Sequence, residues 1–156
     1  MTTLKENDIA PDFKLESTDY KEVSLSDFTG KNIVLYFYPK DATPGCTIEA
    51  NDFNKHLDEF RKFDCVVLGV SRDNIASHKK FIAAQCLAFP LLSDPEGEVC
   101  KKYGVWHIKN MFGKKYYGIQ RSTFLIGKNQ NIVKAWYKVN PLGHAHIVLQ
   151  SVKSLI

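Results

Sequence analysis

Pro39-Lys40-Asp41-Ala42-Thr43-Pro44-Gly45-Cys46 separates an apolar run, Ile33-Val34-Leu35-Tyr36-Phe37-Tyr38, from a long amphipathic pattern, and it ends on a cysteine. The order reads as strand, loop and helix, with the thiol in the first helical turn. Proline rings fix φ at positions 39 and 44. Thr43 followed by Pro44 matches an N-cap residue followed by proline at the first helical position, which puts Cys46 at about the third. There several backbone N–H groups lack intrahelical partners, and the positive end of the helix dipole favours an anion such as a thiolate. A free cysteine with a pKa of about 8.5 is only a few per cent ionised at neutral pH, whereas helix N-termini and cationic neighbours bring such groups to roughly 3.5–7.5. On these residues alone Cys46 is either a poised thiol or a small, half-buried cap residue.

Working outward, Phe13 with Leu15 and Val23 with Leu25 show period-2 patterns around a polar turn at 18–21, which predicts an N-terminal hairpin over 12–17 and 22–25. Ser26 and Asp27 begin a single helical turn. The run 32–38 is continuously apolar, as expected of a central strand covered on both faces. From Pro44 to about Lys62, Ala50, Phe53, Leu57 and Phe60 form one buried helical stripe. Cys65–Val70 reads as a second buried strand, followed by a helix of about ten residues holding Ile75, Lys79, Phe81 and Ile82. Leu87–Leu92 contains Pro90 and reads as an edge strand or extended segment. Asp94 and Pro95 start a helix over 96–103 that Gly104 stops. Residues 119–126 and 131–139 form a hairpin about the turn 127–130, and a last helix from about Leu142 buries Ala145, Val148, Leu149, Val152 and Leu155. Two strand–helix–strand units, a hairpin and a final helix predict a three-layer α/β fold.

The chain has 156 residues, 44% apolar and 24% charged, which suits one compact domain over 1–156 rather than a disordered chain. The net charge of +4 is modest, and its basic residues are interleaved with acidic ones. The pairs Lys101-Lys102 and Lys114-Lys115 read as solvated faces, not as a nucleic-acid site. No apolar run is long enough to span a membrane and the N-terminus has no signal-like segment, which predicts a cytoplasmic protein. Four cysteines, Cys46, Cys65, Cys86 and Cys100, are widely spaced, unlike a secreted disulfide framework, so any disulfide is expected to be catalytic or transient.

The spacing Pro39-x3-Thr43-x2-Cys46 after an apolar strand resembles the active-site signature of the peroxiredoxins. The segment from Tyr38 through Cys46 to Thr47-Ile48-Glu49-Ala50 is similar to the peroxiredoxin Q, or bacterioferritin comigratory protein, branch. The resemblance continues at Ala10-Pro11-Asp12-Phe13, Phe89-Pro90-Leu91-Leu92-Ser93-Asp94, Tyr103-Gly104-Val105-Trp106, Arg121 through Ile126, and Gly143-His144-Ala145, and so covers nearly the whole chain. It implies a thioredoxin-like fold, a central mixed β-sheet flanked by helices. It also implies reduction of hydrogen peroxide and organic hydroperoxides through a cysteine sulfenic acid, with recycling by thioredoxin or a glutaredoxin-like dithiol reductant, in a monomer.

Carried over position by position, the resemblance makes Cys46 the peroxidatic cysteine, Thr43 the hydroxyl that bonds thiolate and substrate, Pro39 the shield of the pocket, Arg121 the cation, and Glu49 the residue that orients Arg121. Attack on an O–O bond needs a thiolate, donors to the peroxide oxygens and stabilisation of charge on the departing oxygen. These residues and the backbone N–H groups at 45 and 46 supply that without a metal or organic cofactor. Arginine suits the site because its planar fork donates to sulfur and oxygen together. The branch often places its resolving cysteine at position 51, which here is Asn51, or on the following helix at the position of Ile82. Cys86, one turn further, is the first candidate, and Cys100 the second. Cys65 reads as a core residue, and a one-cysteine cycle is the remaining option.

His144 and His146 flank Ala145 but do not share a helix face, so they are not read as a metal site. His56, His78 and His107 read as surface or boundary residues, and Tyr36, Phe37, Tyr38, Phe124 and Trp136 as lining of core and pocket. An alternative function is a redox-sensing or chaperone-like module in which oxidation of Cys46 changes partner binding. Disulfide exchange of the thioredoxin kind is weakened by the missing CxxC.

Overall fold

The computed structural model describes residues 3–19 and 21–155. Its strands are β1 (Lys14–Ser17), β2 (Glu22–Ser24), β3 (Asn32–Phe37), β4 (Cys65–Ser71), β5 (Leu91–Ser93), β6 (Trp106–Met111), β7 (Lys114–Ile119), β8 (Ser122–Ile126) and β9 (Ile132–Tyr137). The helices are α1 (Pro44–Lys55), α2 (Leu57–Lys62), α3 (Ile75–Gln85), α4 (Glu98–Lys102) and α5 (His144–Lys153), with a 3-10 turn at Leu25–Phe28. A seven-stranded sheet runs β2-β1-β5-β4-β3-β8-β9, with β3, β4 and β5 parallel and the other pairings antiparallel. The expected central mixed sheet flanked by helices is therefore present.

Strand β3 is central, and all six of its residues are buried. Alternation of side chains sends Ile33, Leu35 and Phe37 into one core, shared with the N-terminal hairpin and α4. Val34 and Tyr36, with Tyr38 beyond the strand end, enter the other core, shared with α1, α3 and α5. Because both faces are covered, no polar alternation marks the strand, as its apolar run predicts. Tyr36 stacks on Phe53 of α1 with ring centroids 4.7 Å apart, which fixes the helix over the end of the strand that delivers the loop.

Three expectations need correction, and one sheet was not expected. The long helix over 44–62 is two helices broken at His56, whose Nδ1 lies 2.9 Å from the Asp52 carbonyl while its backbone N–H reaches that oxygen at 3.3 Å. A side chain engaging the carbonyl ladder ends the regular turn there. Strand β5 is internal, between β1 and β4, and not an edge; Pro90 precedes the paired residues, so its missing N–H leaves the ladder intact. Helix α4 starts at Glu98, three residues beyond Pro95, on Gly97 at φ 70°, and the Asp94 carboxylate accepts from the N–H groups of Val99 and Cys100. Finally, β6 and β7 form a separate two-stranded sheet that period-2 reading passes over. It turns at Phe112-Gly113, both with positive φ, as a two-residue hairpin loop demands.

Candidate active site

The loop after β3 carries Pro39, Asp41 and Thr43 to the start of α1, where Pro44, Gly45 and Cys46 are the first three helical residues. Cys46 is 1% exposed. Glu49 follows three residues later, so both side chains leave the same helix face. Arg121 lies between β7 and β8, one residue before Ser122, which pairs with Phe37 at the end of β3. Its Nη2 donates to Cys46 Sγ at 3.4 Å and its Nη1 to Glu49 Oε1 at 2.8 Å. One planar guanidinium thus spans the thiol and the buried carboxyl, a reach that a single ammonium lacks.

The approach of Arg121 depends on Gly45. A Cβ at that position would lie 3.0 Å from Arg121 Nη2. Burial opposes the Arg121 charge, but Glu49 and the Cys46 sulfur outweigh it and hold its pKa above the ordinary value. Glu49 is fully buried, and burial pushes its carboxyl up to about 7 against the opposing effect of Arg121. Glu49 Oε2 and the Tyr36 hydroxyl have no hydrogen-bond partner among the described residues.

Thr43 occupies the N-cap position, but its hydroxyl caps nothing. It donates to the Lys40 carbonyl at 2.8 Å and makes no bond to Cys46. Pro39 and Thr43 instead line a groove with Lys40, Arg72, Trp106 and Lys109, so the β6–β7 hairpin forms its opposite wall. Lys109 is partly buried there, and burial together with the Arg121 charge lowers its pKa.

All four cysteines are free thiols. Cys65, at the start of β4, is buried as expected, and burial pushes its thiol up to about 12. Cys100 is 0% exposed, and burial with the nearby Asp94 carboxylate pushes its thiol up as well. Cys86 is exposed at the C-cap of α3, in the left-handed region at φ 54°. Its carbonyl accepts from Asn54 at 3.0 Å, and neighbouring Gln85 accepts from Asn51 at 3.0 Å. Asn54 lies eight residues along α1 from Cys46, about 12 Å of helix rise. The two thiols are therefore apart, although a disulfide needs Cα atoms within about 7 Å.

Of the histidines, His144 is buried, with Nε2 2.8 Å from Thr123 Oγ1, and burial lowers its pKa to about 4. His146 is exposed and pairs with His56 in a ring contact. The expectation that His78 is a surface or boundary residue is wrong: it is 0% exposed, its Nδ1 2.7 Å from Asp41. Asp41, Asp73 and His78 are the described residues grouped closely enough to hold a metal ion, but the nitrogens of His78 and the oxygens of Asp41 are already engaged by protein groups. The helical spacing Ile75, His78, Phe81 could have placed His78 on the buried face.

A buried thiol under an arginine, at a helix start beside a groove lined by Pro39 and Thr43, on a mixed α/β sheet, is the arrangement of a cysteine-based enzyme. Residues 7–135 match the AhpC/TSA family, and the chain belongs to it. It is 47% identical to peroxiredoxin Bcp of Bacillus subtilis over 94% of this chain and 93% of that one. Peroxiredoxin Q of Xanthomonas campestris superposes with a TM-score of 0.87 at 46% identity, covering 91% of this chain and 90% of that chain. A second structure from that organism, the bacterioferritin comigratory protein studied for alkyl peroxide reduction in trapped intermediate and ligand complexes, also has a TM-score of 0.87, at 45% identity and with the same coverage. The resemblance, the thioredoxin-like fold and the thiol peroxidase class expected from the sequence are all borne out.

Proposed function

We propose that the chain works as one peroxiredoxin domain that reduces hydrogen peroxide and organic hydroperoxides at Cys46. The observation that carries this reading is the Arg121 guanidinium donating at once to Cys46 Sγ and to Glu49. The Cys46 thiolate attacks the nearer peroxide oxygen, the O–O bond breaks, and the departing oxygen leaves as water or alcohol after taking a proton. Arg121 and the backbone N–H groups of the first α1 turn stabilise the charge that builds on that oxygen. Glu49 orients Arg121, while Pro39 and Thr43 shape the entrance. Thr43 turns its hydroxyl from the Lys40 carbonyl toward the substrate when a peroxide enters.

Cys46 is left as a sulfenic acid. Cys86 then condenses with it to give a disulfide and water, and a thioredoxin or glutaredoxin-like dithiol returns both thiols with two electrons and two protons. Its exposure supports Cys86, as does the burial of Cys65 and Cys100 with raised thiol pKa values. The separation along α1 means that the start of α1, the C-terminal end of α3, or both unwind for this step. The enzyme acts as a monomer in a reducing cytoplasm.

Two measurements test this. Cys46→Ser abolishes hydroperoxide turnover; full turnover in that variant refutes the assignment. Mass spectrometry after one equivalent of peroxide finds a Cys46–Cys86 disulfide, whereas a lasting sulfenic or sulfinic Cys46, or a bond to Cys100, overturns the role of Cys86.

A further inference from the structure

Behind the loop lies a polar cluster in an otherwise apolar core, reaching the groove only through Asp73. Asp41 Oδ1 accepts from the Tyr38 hydroxyl at 2.5 Å, and Oδ2 accepts from Ser77 Oγ at 2.8 Å and lies 2.7 Å from His78 Nδ1. The opposite ring nitrogen, His78 Nε2, is 2.9 Å from the Leu92 carbonyl on β5, an oxygen that can only accept. The backbone N–H of Asp41 donates to Asp73 Oδ2, which also accepts from Ser71 Oγ. The side chains of His78 and Asp41 are 0% and 4% exposed.

These contacts fix the protons. Nε2 carries one, because it faces a carbonyl. The short gap between Nδ1 and Oδ2 holds another. Burial works against a charge on Asp41, but donation from His78, Tyr38 and Ser77 holds its pKa below the ordinary carboxylate value. The 2.7 Å His78–Asp41 contact is thus a side-chain hydrogen bond sealed from solvent.

The cluster surrounds a strained place. Ala42, between Asp41 and Thr43, has φ 63°, a conformation that residues with a Cβ adopt at a cost. Such backbone persists where its surroundings over-determine it. The hydrogen bonds on Asp41 come from Tyr38 just beyond β3, from Asp73 in the loop after β4 and from α3, and they pin the residue immediately before the strained one. Neither His78 nor Asp41 lines the groove with Pro39 and Thr43.

We propose that His78 and Asp41 are positioning residues whose buried pair holds the Ala42 turn, and with it Thr43 and the first turn of α1, in the geometry the peroxide reaction uses. This rests on Cys46 being the reacting thiol. Release of the pair lets Ala42 relax toward negative φ, which moves Thr43 and the N–H groups at 45 and 46 away from where the peroxide oxygens lie. A displacement of that kind lowers the rate of attack without removing any group that touches substrate.

The test measures the second-order rate constant for oxidation of the full chain by hydrogen peroxide in stopped flow, with the oxidised residue located by mass spectrometry. His78→Asn and Asp41→Asn each lower the rate constant 10- to 100-fold, with oxidation still at Cys46. Adding Ala42→Gly to His78→Asn recovers at least threefold, because glycine takes positive φ without penalty. A general core lesion gains nothing from that second change. If His78→Asn fails to fold, near-isosteric Asp41→Asn, alone and with Ala42→Gly, carries the same comparison. A folded single variant within threefold of the parent, or a loss that Ala42→Gly does not restore, overturns the proposal. Oxidation of the parent at a thiol other than Cys46 would instead refute the reading of the site itself.

Discussion

Replacing Glu49 by glutamine should change the shape of the stability curve against pH. Glu49 is fully buried, its Oε1 holds Arg121 at 2.8 Å, and Oε2 has no partner among the described residues. Burial outweighs the arginine and raises the carboxyl from 4.5 to about 7 in the folded chain. Between those two values the folded state binds a proton that the unfolded state has released, so stability falls as pH rises through this window. The displacement corresponds to on the order of 3 kcal/mol between pH 4 and pH 8. Glutamine keeps an oxygen for Arg121 and does not titrate. The quantity to measure is the unfolding free energy of parent minus Glu49→Gln, from urea titrations at pH values spanning 4.5 to 8.5. Other titrating groups largely cancel in that difference. His144, held by burial at about 4, works with the opposite sign, stabilising as pH rises from about 4 toward 6.5, and it cancels too. The parent should lose roughly 3 kcal/mol relative to the variant as pH rises, equivalent to about 6–12 °C in thermal midpoint for a chain of this size. Parallel curves for the two proteins would show that Glu49 titrates alike folded and unfolded, and the account of the buried pair would be wrong.

Other perturbations read the same site from different sides. Arg121→Lys should lower the stopped-flow rate constant for peroxide about 100-fold, because one ammonium cannot donate in a plane to both Cys46 Sγ and Glu49 Oε1; a loss below threefold would mean the fork is dispensable. Gly45→Ala places a Cβ 3.0 Å from Arg121 Nη2, so the guanidinium shifts by a few tenths of an ångström and the rate should fall about tenfold with the urea midpoint essentially unchanged; an unchanged rate would show that Arg121 has room to spare. Tyr36→Phe removes a buried hydroxyl that has no partner among the described residues, so urea unfolding should show equal stability or a gain of about 1 kcal/mol, and a loss of that size would reveal a bond the geometry lacks.

What could be read from the sequence follows the range of the forces involved. The β3–loop–α1 unit is legible because its signals are local: a continuous apolar run, two prolines and an i, i+3 stripe. Thr43 takes the N-cap position as expected but without a capping bond, and the edge reading of β5 failed where a local rule met a non-local contact. Thr43 has the sequence of a capping residue, but the Lys40 carbonyl takes its hydroxyl. Pro90 has the sequence of an edge, but the ladder begins one residue later and β1 covers it. The β6–β7 hairpin escaped because its strands lie largely exposed, with Ile108, Tyr116 and Tyr117 outward, so neither alternation nor a run marks them.

The site itself divides along the same line. Cys46 and Glu49 are one helical turn apart, and any reading that finds the helix finds both on one face. Arg121 is 75 residues away from Cys46 in sequence, and nothing in its own neighbourhood, a short polar step between two strands, singles it out; only the chain-long family resemblance connected it to the thiol. Asp41 and His78 are harder still. Each has a polar, loop-like or amphipathic neighbourhood, and their meaning comes from 37 residues of separation that the β3–β4 pairing closes. Yet one local sign was present. A histidine between Ile75 and Phe81 at helical spacing falls on the buried face, and a buried imidazole must satisfy two nitrogens. The question of where those two bonds go leads to a carboxylate and a carbonyl, then to the strained alanine beside Thr43. A residue that periodicity would dismiss as misplaced polarity in a core thus becomes the point from which the loop around Cys46 is held.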